Sequence, residues 1–460
     1  MSAPSELVEV ALAASTLPGV VIVVDRSETN LRWALNSLTT NGQMHALTLT
    51  AIATSPVEGG TAVGTVSREV SDPEQVAAIV AAAEAIARTG PPAEDAAPLI
   101  GADGPDDGWD TDPEQTTIAV FGTVARDLAA AFGSAGQQGH LLFGFAELVT
   151  TTTYVGSTTG LRRRTVTPTG RLELNAKSAD FRDTAWVGVA TRDFSDVDVP
   201  ALHAEVLQRL GWASTKIDLP AGRYETLLPP SAVADLMIYL YWTANARDAE
   251  EGRNVFSAGD GGTKIGDSLS PLPLTLSSDP AHPGLECAPF VVAESSDGAT
   301  SSVFDNGLPL EATTWIQDGR LTELMRNRAW AAKTGQRPVE GIDNLILEGD
   351  GSTTLDEMIA GTERGLLLTC LWYIREVDPE QLLLTGLTRD GVYLVEDGQV
   401  VGVVNNFRFN ESPVDLLGRV TEVGIAEQTL PREWNDYFTR TVMPPVRIPD
   451  FNMSTVSQAS

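Results

Sequence analysis

Four histidines are the first candidates for metal or acid–base chemistry in this sequence. They lie far apart along the chain, at His45, His140, His203 and His282. Zinc sites usually take two ligands from one short stretch of chain, and neither HExxH nor its variants occur here. His203, beside Glu205 on a short predicted helix, and His282, in a turn, are interpreted as surface or half-buried residues. A zinc site assembled from distant histidines stays an open alternative.

Two cysteines are the candidates for nucleophilic chemistry. Cys287 and Cys370 are too far apart for a CxxC site and too few for a disulfide framework, which is typical of a reducing compartment. Cys370 lies in the apolar run GLLLTCLWYI, where a thiol is usually inert packing. Its pairing with His282 or His140 remains an alternative, and we find no G-x-S-x-G nucleophile elbow.

The charge of the chain argues against anionic macromolecules as partners. Lys plus Arg number 31 and Asp plus Glu number 62, so the formal net charge is −31. A nucleic-acid or anionic-membrane surface needs a basic face, and the only compact basic run is 162–164. The glycine-bearing stretch 257–266 lacks the phosphate-loop pattern and contains Asp260, so we interpret it as a turn.

The elements that must position any site predict an α+β fold. With 460 residues and 42% hydrophobic residues, two or three domains are expected. We predict an N-terminal domain over 1–215, mixed, with an antiparallel sheet and helices. A C-terminal β-rich, barrel-like domain is expected over 216–460. Residues 91–115, with five prolines and eight acids, are expected to form a mobile acidic loop.

Hydrophobic periodicity places the individual elements. Strands are predicted at 19–24, 46–54 and 116–121 and throughout 140–191, with 31–38 left as a strand or a short helix. A capping box of Ser71 and Glu74 begins one helix, and Ser231 is expected to cap another. Further helices are predicted at 125–132, 200–211, 322–334, 353–364 and 412–419.

The sequence contains no membrane or secretion signal that we recognise. No apolar run reaches the ~18 residues of a membrane helix. The N-terminal stretch lacks the basic start of a secretory signal. We therefore expect a cytoplasmic protein.

An ordered series of short motifs resembles the TldD/TldE (PmbA) peptidase family. The resemblance spans most of the chain, and its specificity comes from order and spacing rather than from one signature. The motifs are TNLRWALNSLTTNG (29–42), STTGLRRR (157–164), LPAGRYETLLPPSAVADLM (219–237), EGRNVFSAGDGGTKIG (251–266), VFDNGLPLEATTWIQDGRLTELMRNRAWAAKTG (303–335), NLILEGDGSTTLDEMIAGTERGLLLT (344–369) and GVYLVEDGQVVGVVNNFRFNESPVDLL (391–417).

The resemblance implies a zinc peptidase made of two kinds of subunit. One kind carries a HExxxH helix and a later cysteine ligand. In this chain that window falls on Met237, Ile238 and Trp242, and the cysteine position falls near Trp434 and Asn435. None of these can ligate zinc or activate water. The chain therefore resembles the metal-free TldE/PmbA side, with no catalytic or metal residue of its own and zinc expected in a TldD-like partner.

The resemblance also sets expectations for substrate and partners. A non-catalytic subunit of a heterodimeric peptidase would help to enclose peptides or unfolded polypeptides, and the chain alone could form a homodimer. Extended peptides would add to strand edges, for which 303–316 and 401–410 are candidates. Asn405, Asn406 and Arg408 are predicted to face the substrate cleft.

Two other functions remain open at this point. One is a stand-alone hydrolase that uses Cys370 and a distant histidine. The other is a peptide-binding scaffold that never meets a peptidase.

Overall fold

The computed structural model describes residues 3–102, 106, 108–259, 261–389 and 391–457. The fold is α+β, as predicted. Its first part is an antiparallel sheet in the order β3-β2-β1-β4-β5-β6, packed with four helices. The strands are β1 Gly19–Ala34, β2 Ser37–Val57, β3 Gly60–Glu69, β4 His140–Ser157, β5 Arg162–Ser178 and β6 Thr184–Thr191, and the helices are α1 Pro4–Ala14, α2 Val76–Thr89, α3 Gly122–Gln137 and α4 Val199–Trp212.

The two faces of this sheet bury different partners, as side-chain alternation along a strand requires. In β1, Val21 and Val23 face α1 and α2, and Leu31 on the same face packs with the cluster formed by α3 and α4. The intervening Val20 and Ile22 face the other side, where they meet Phe304 and other residues from later in the chain. The sheet is thus covered on both faces.

The second part of the chain consists mainly of two open sheets. The larger has the order β16-β17-β20-β24-β8-β15-β18-β19-β7, with β21 paired to β24, and the smaller has the order β13-β12-β11-β14-β23-β22. The larger sheet contains β7 Lys216–Ile217, β8 Gly222–Leu228, β15 Arg364–Leu368, β16 Trp372–Asp378, β17 Leu383–Leu387, β18 Val392–Glu396, β19 Gln399–Val404, β20 Phe407–Glu411, β21 Glu422–Val423 and β24 Val446–Val456. The smaller contains β11 Thr275–Ser278, β12 Thr313–Gln317, β13 Arg320–Leu321, β14 Leu345–Glu348, β22 Glu427–Thr429 and β23 Thr441–Met443, while β9 Ser257–Gly259 and β10 Gly262–Thr263 form a separate pair.

Both large sheets end in strands that pair on one side only, so the barrel-like arrangement is wrong for the residues that the structure describes. The main core of this part is formed by side chains from both sheets around the almost fully buried α5. The helices are α5 Pro230–Thr243, α6 Ala246–Glu250, α7 Arg328–Thr334, α8 Leu355–Ala360 and α9 Pro413–Leu417. The predicted helices at 322–334, 353–364 and 412–419 are therefore present but shorter.

The predicted helix after residue 71 is confirmed, but its capping residues are different. A short 3₁₀ turn, Pro73–Gln75, leads into α2. The cap is Asp72, whose Oδ1 accepts a hydrogen bond from the N–H of Glu74 at 2.9 Å. Its reciprocal partner is Gln75, so the box predicted from Ser71 and Glu74 lies one residue too early.

The predicted strand at 116–121 is wrong. Ile118–Phe121 is a 3₁₀ turn that leads directly into α3, and the predicted helix at 125–132 is confirmed within α3. The N–H of Thr116 donates to the hydroxyl of Ser27 at 3.0 Å, so a side chain satisfies a group that a strand would pair with a neighbouring strand. Apolar alternation over six residues could not reveal this side-chain bond.

The described residues of 91–115 are irregular, as predicted, and some of them are anchored to the first sheet, while the expected mobility stays a prediction. Asp106 accepts from the guanidinium of Arg163 at 2.9 Å, and also from the backbone N–H of Arg164. Trp109 is buried with its ring edge-on to Tyr154. The composition of this segment, acidic and rich in proline, concealed these anchoring contacts.

The helical stretch Ile118–Gln137 is, among the described residues, long and apolar enough to span a membrane by length and composition alone. Arg126 and Asp127 interrupt this stretch, which agrees with the absence of a continuous apolar run of that length from the sequence. One face, including Val124 and Leu128, is buried in the cluster between α3, α4 and the sheet. This packing is typical of an amphipathic helix in a globular core.

Candidate functional site

Helix α5 contains the positions at which the resemblance places degenerate zinc ligands. It begins at Pro230, whose fixed φ and missing N–H suit the first turn. In the described structure no side chain caps it, so the expected cap by Ser231 is wrong. Met237 and Ile238 are 1% and 0% exposed within the main core, whereas Trp242 is 39% exposed.

Trp242 lies against Trp434, the residue near which the resemblance places the late cysteine. The two ring centroids are 5.1 Å apart in an edge-to-face arrangement, and Tyr239 is 5.7 Å from Trp434. The fold therefore brings together positions that are almost 200 residues apart in sequence. A thioether, an alkyl chain and two indoles provide no imidazole, thiolate or carboxylate, so these side chains do not fit a zinc ion.

A buried carboxylate joins α5 to the segment that carries Trp434. Asp235 is 0% exposed, and its oxygens accept backbone N–H bonds from Arg432 at 3.3 Å and Glu433 at 2.9 Å. The indole of Trp434 donates in return to the carbonyl of Asp235 at 2.9 Å. Burial raises the pKa of Asp235, and the backbone donors oppose that rise. The role of Asp235 was not predicted from the sequence, although an acid inside an apolar helix is a visible signal.

A cleft of about 480 Å³ opens beside this aromatic cluster. Its lining includes Trp242, Tyr437 and Glu340. Tyr437 is 74% exposed, so the cleft has an aromatic rim. Burial, reinforced by the nearby charge of Asp305, raises the pKa of Glu340 to about 9. Asp343 also lines this cleft, and burial raises the pKa of its carboxyl as well, so the cleft combines an aromatic rim with two acids that favour the protonated form.

A second cleft lies where the two parts of the molecule meet. A cavity of about 230 Å³ is lined from the first sheet by Lys177 and Trp186 and from the second part by Trp372, Arg389 and Arg432. The ring of Trp372 contacts two guanidinium groups, at 5.4 Å from that of Arg389 and 4.5 Å from that of Arg432. Within the described part of the chain no carboxylate lines this cavity, and Asp390 lies outside that part. We call it the cationic cavity.

The backbone around this cavity is locally strained. Arg389 and Tyr373 have φ values of 47° and 54°, in the left-handed region that non-glycine residues avoid. Their side chains stack with 5.8 Å between the guanidinium and the ring centroid. Such strained positions concentrate at functional sites.

The cavity continues into a wider groove of about 620 Å³, with Lys177 and Arg389 lining both. Two of the predicted substrate residues, Asn405 and Asn406, line this groove. The Oδ1 of Asn405 accepts from the N–H of Leu219 at 2.7 Å. Its Nδ2 is buried without a hydrogen-bond partner among the residues described.

Arg408, the third predicted substrate residue, is exposed and outside the described lining of the groove. Its guanidinium donates to the hydroxyl of Thr385 at 3.3 Å. The structure therefore brings Asn405 and Asn406 into one groove and separates Arg408 from it. A role of these residues in substrate binding stays a prediction.

The proposed strand edges at 303–316 and 401–410 are wrong. Val303–Asp305 is a 3₁₀ turn, and β12 lies between β11 and β13. Likewise β19 lies between β18 and β7, and β20 between β17 and β24. Long-range pairing of this kind leaves no mark on a local sequence pattern. In the larger sheet β16 and β7 are the end strands, and β16 lies next to the cationic cavity.

The two cysteines have different surroundings. Cys287 is buried, and burial together with the charge of Asp343 raises the pKa of its thiol to about 11. Cys370 lines the cationic cavity, where no histidine is among the described lining residues. Within the described chain no three His, Cys, Asp or Glu side chains are grouped so that they could hold a metal ion.

Comparisons with known proteins give one family and one fold. A family model described as the PmbA/TldA metallopeptidase C-terminal domain matches residues 221–455. Among curated proteins no significant match is found.

Three similar crystal structures cover nearly the whole chain. TldE from Thermococcus kodakarensis has 16% identity and a TM-score of 0.78, covering 98% of this chain and 99% of that one. A putative modulator of a DNA gyrase from Thermotoga maritima has 16% identity and a TM-score of 0.74, covering 97% and 99%. A putative modulator of DNA gyrase from Bacteroides thetaiotaomicron has 15% identity and a TM-score of 0.74, covering 98% of both chains. At these identities the likeness establishes the fold.

Proposed function

The chain belongs to the PmbA/TldA metallopeptidase family, and from this premise we propose that it is a non-catalytic, TldE/PmbA-like subunit of a zinc peptidase. Its partner would be a zinc-bearing TldD-like subunit. The complex would cleave peptides or unfolded polypeptides, and its expected location is the cytoplasm.

One observation carries the proposal. Trp242 stands at one implied ligand position and Trp434 lies near another, and their ring centroids are 5.1 Å apart. The third position, Met237, is inside the core. Aromatic packing fills the place where the resemblance implies metal chemistry, so catalysis is assigned to the partner.

The exposed side of this aromatic cluster suggests how the subunit would contribute. Trp242 and Tyr437 are 39% and 74% exposed at the cleft of about 480 Å³. Tyrosine and tryptophan are enriched in protein interfaces because they combine a large apolar area with a polar tip. We expect this face to contact the partner or the peptide that the two subunits enclose.

The test uses the full chain, alone and mixed with a zinc-bearing TldD-like protein from the same source. We measure bound zinc by elemental mass spectrometry and hydrolysis of a fluorogenic peptide. The chain alone is expected to hold no stoichiometric zinc and to be inactive, and the mixture is expected to elute as one complex and to be active. The Cys370→Ala variant should form an equally active mixture.

A partner whose motif glutamate is replaced by glutamine is the matched control. The mixture with this control should form and remain inactive, because the catalytic base would be missing. Zinc near one per chain, or hydrolysis by the chain alone that Cys370→Ala abolishes, would overturn the proposal. Failure of the two proteins to associate would favour the scaffold function instead.

A further inference from the structure

The cationic cavity between the two parts of the molecule is a concentration of positive charge in an acidic protein. Lys177, Arg389 and Arg432 line it, in a chain whose formal net charge is −31. The −31 charge would lower the local concentration of any anion near most of the surface. The three cations of this cavity therefore attract an anion locally, whereas the net charge of the rest of the chain repels it.

The two arginines retain unused hydrogen-bonding capacity. The Nε atoms of Arg389 and Arg432 are buried and have no hydrogen-bond partner among the residues that the structure describes. One Nη of Arg432 is 3.4 Å from a carboxylate oxygen of Glu173, which is a long contact. A buried donor without a partner costs free energy, and an anion with two acceptor oxygens would remove that cost.

Aromatic rings hold the guanidinium groups in place. Arg432 stacks on both Trp186 and Trp372, at 4.8 and 4.5 Å from the ring centroids. The guanidinium of Arg389 also lies over the Trp372 ring, 5.4 Å from its centroid. Fixed guanidinium planes lose little side-chain entropy when they bind a planar carboxylate in a fork geometry.

The shape of the cleft indicates what the anion is attached to. The cavity of about 230 Å³ suits a carboxylate and a small side chain, and it opens into the groove of about 620 Å³. In that groove the Nδ2 of Asn405 is a buried donor without a partner in the described chain. Such a donor suits the carbonyl of a peptide bond that follows the anionic end into the groove.

We propose that this cavity binds the C-terminal carboxylate of a peptide, with Arg389 and Arg432 as the anion-binding residues and Asn405 as a donor to the preceding peptide group. The proposal rests on the proposed function only in taking a peptide as the ligand. It assigns the subunit a site that fixes the end of a substrate or product, separate from the aromatic cluster around Trp242.

The experiment measures binding to the isolated full chain by calorimetry, with no partner subunit. The probes are N-acetyl-trialanine with a free carboxylate, the same peptide as its C-terminal amide, and inorganic phosphate. The acid is expected to bind at least tenfold more tightly than the amide and than phosphate. Arg389→Gln and Arg432→Gln are each expected to weaken binding of the acid at least tenfold.

Arg375→Gln is the matched control. Arg375 is 64% exposed on the neighbouring β16 and stacks on Tyr373 at 5.7 Å, but it is outside the described cavity lining. This variant should bind the acid as the unaltered chain does. Arg389→Gln keeps the test usable if Arg432→Gln is poorly folded, because Arg389 has no ion pair within the described chain.

Equal binding of acid and amide, or unchanged binding by a folded Arg389→Gln variant, would overturn the assignment. Phosphate binding as tight as that of the acid would also overturn it, in favour of a general anion site. None of these results bears on zinc content or on assembly with a partner, so failure here is distinguishable from failure of the proposed function.

Discussion

The packing between α5 and the segment around Trp434 contrasts with the cationic cavity in how buried polar groups are satisfied. Around Trp242 and Trp434, aromatic rings pack edge-to-face and the buried Asp235 accepts bonds from the backbone. Around Arg389 and Arg432, buried guanidinium nitrogens lack partners among the described residues. The first region stabilises the fold, and the second is the proposed binding site for a peptide carboxylate.

The contrast predicts different consequences of substitution in the two regions. Met237 is part of the core and Trp242 packs against Trp434, so substitution there should mainly change stability. Buried donors without partners are costly to keep unless a ligand uses them. Substitution in the cationic cavity should therefore change binding more than stability.

The largest expected effect is that of Asp235→Ala. Removing the carboxylate leaves buried N–H groups of Arg432 and Glu433 without an acceptor, and we expect the free energy of unfolding to fall by about 3 kcal/mol. Denaturant unfolding monitored by tryptophan fluorescence checks this. Asp235→Asn, which keeps one acceptor oxygen, should lose clearly less, and equal losses would mean that the bonds do not matter.

Glu340, in the cleft beside the aromatic cluster, provides a test of how stability depends on pH. Its pKa is raised from 4.5 to about 9 in the folded chain, so the folded state binds a proton that the unfolded state releases. Stability from this proton is complete below about pH 4.5 and is lost as the pH rises towards 9.

The Glu340→Gln variant should therefore be more stable than the original chain at pH 8.5, by about 1–3 kcal/mol. Glutamine does not ionise, so the variant does not lose stability as the pH rises. The difference in the free energy of unfolding between the two chains should vanish near pH 4.5. Unfolding curves recorded across this pH range give the measurement. A difference that is constant with pH would show that Glu340 titrates normally.

Local patterns predicted much of the fold. The helix Val76–Thr89 has apolar residues at helical spacing, and the β-rich region 140–191 alternates, so each carries its signal within a short window. The strand predicted at 116–121 failed because Ser27, about 90 residues away, supplies the hydrogen bonds that decide the local conformation. The order of strands in the two open sheets depends on similar distant pairings.

The sites were harder to predict for the same reason. The resemblance directed attention to α5, but the 5.1 Å contact between the rings of Trp242 and Trp434 follows only from the folded chain. The cationic cavity takes residues from both halves of the sequence, with Lys177 and Arg432 more than 250 positions apart. A single arginine in an acidic sequence carries no signal until its neighbours in space are known.

A smaller effect separates ring packing from hydrogen bonding in the aromatic cluster. Trp434→Phe keeps a ring against Trp242 but removes the indole donor to the carbonyl of Asp235, so we expect a loss of about 1 kcal/mol. Trp434→Ala should lose roughly twice as much or more, because the ring contacts also disappear. Denaturant unfolding of both variants gives the comparison, and equal losses would mean that ring packing contributes nothing.

The smallest effect on stability is expected in the cationic cavity. Arg389→Gln removes a charge from a side chain with an unpartnered Nε and a left-handed backbone, so the free energy of unfolding should change by no more than about 0.5 kcal/mol. Loss of the stacking on Trp372 would lower stability slightly, and relief from the neighbouring positive charges would raise it. Unfolding curves of this variant and of Arg375→Gln should nearly coincide. A loss above about 2 kcal/mol would place Arg389 among the residues that stabilise the fold. The cationic cavity would then not differ in this respect from the packing between α5 and Trp434.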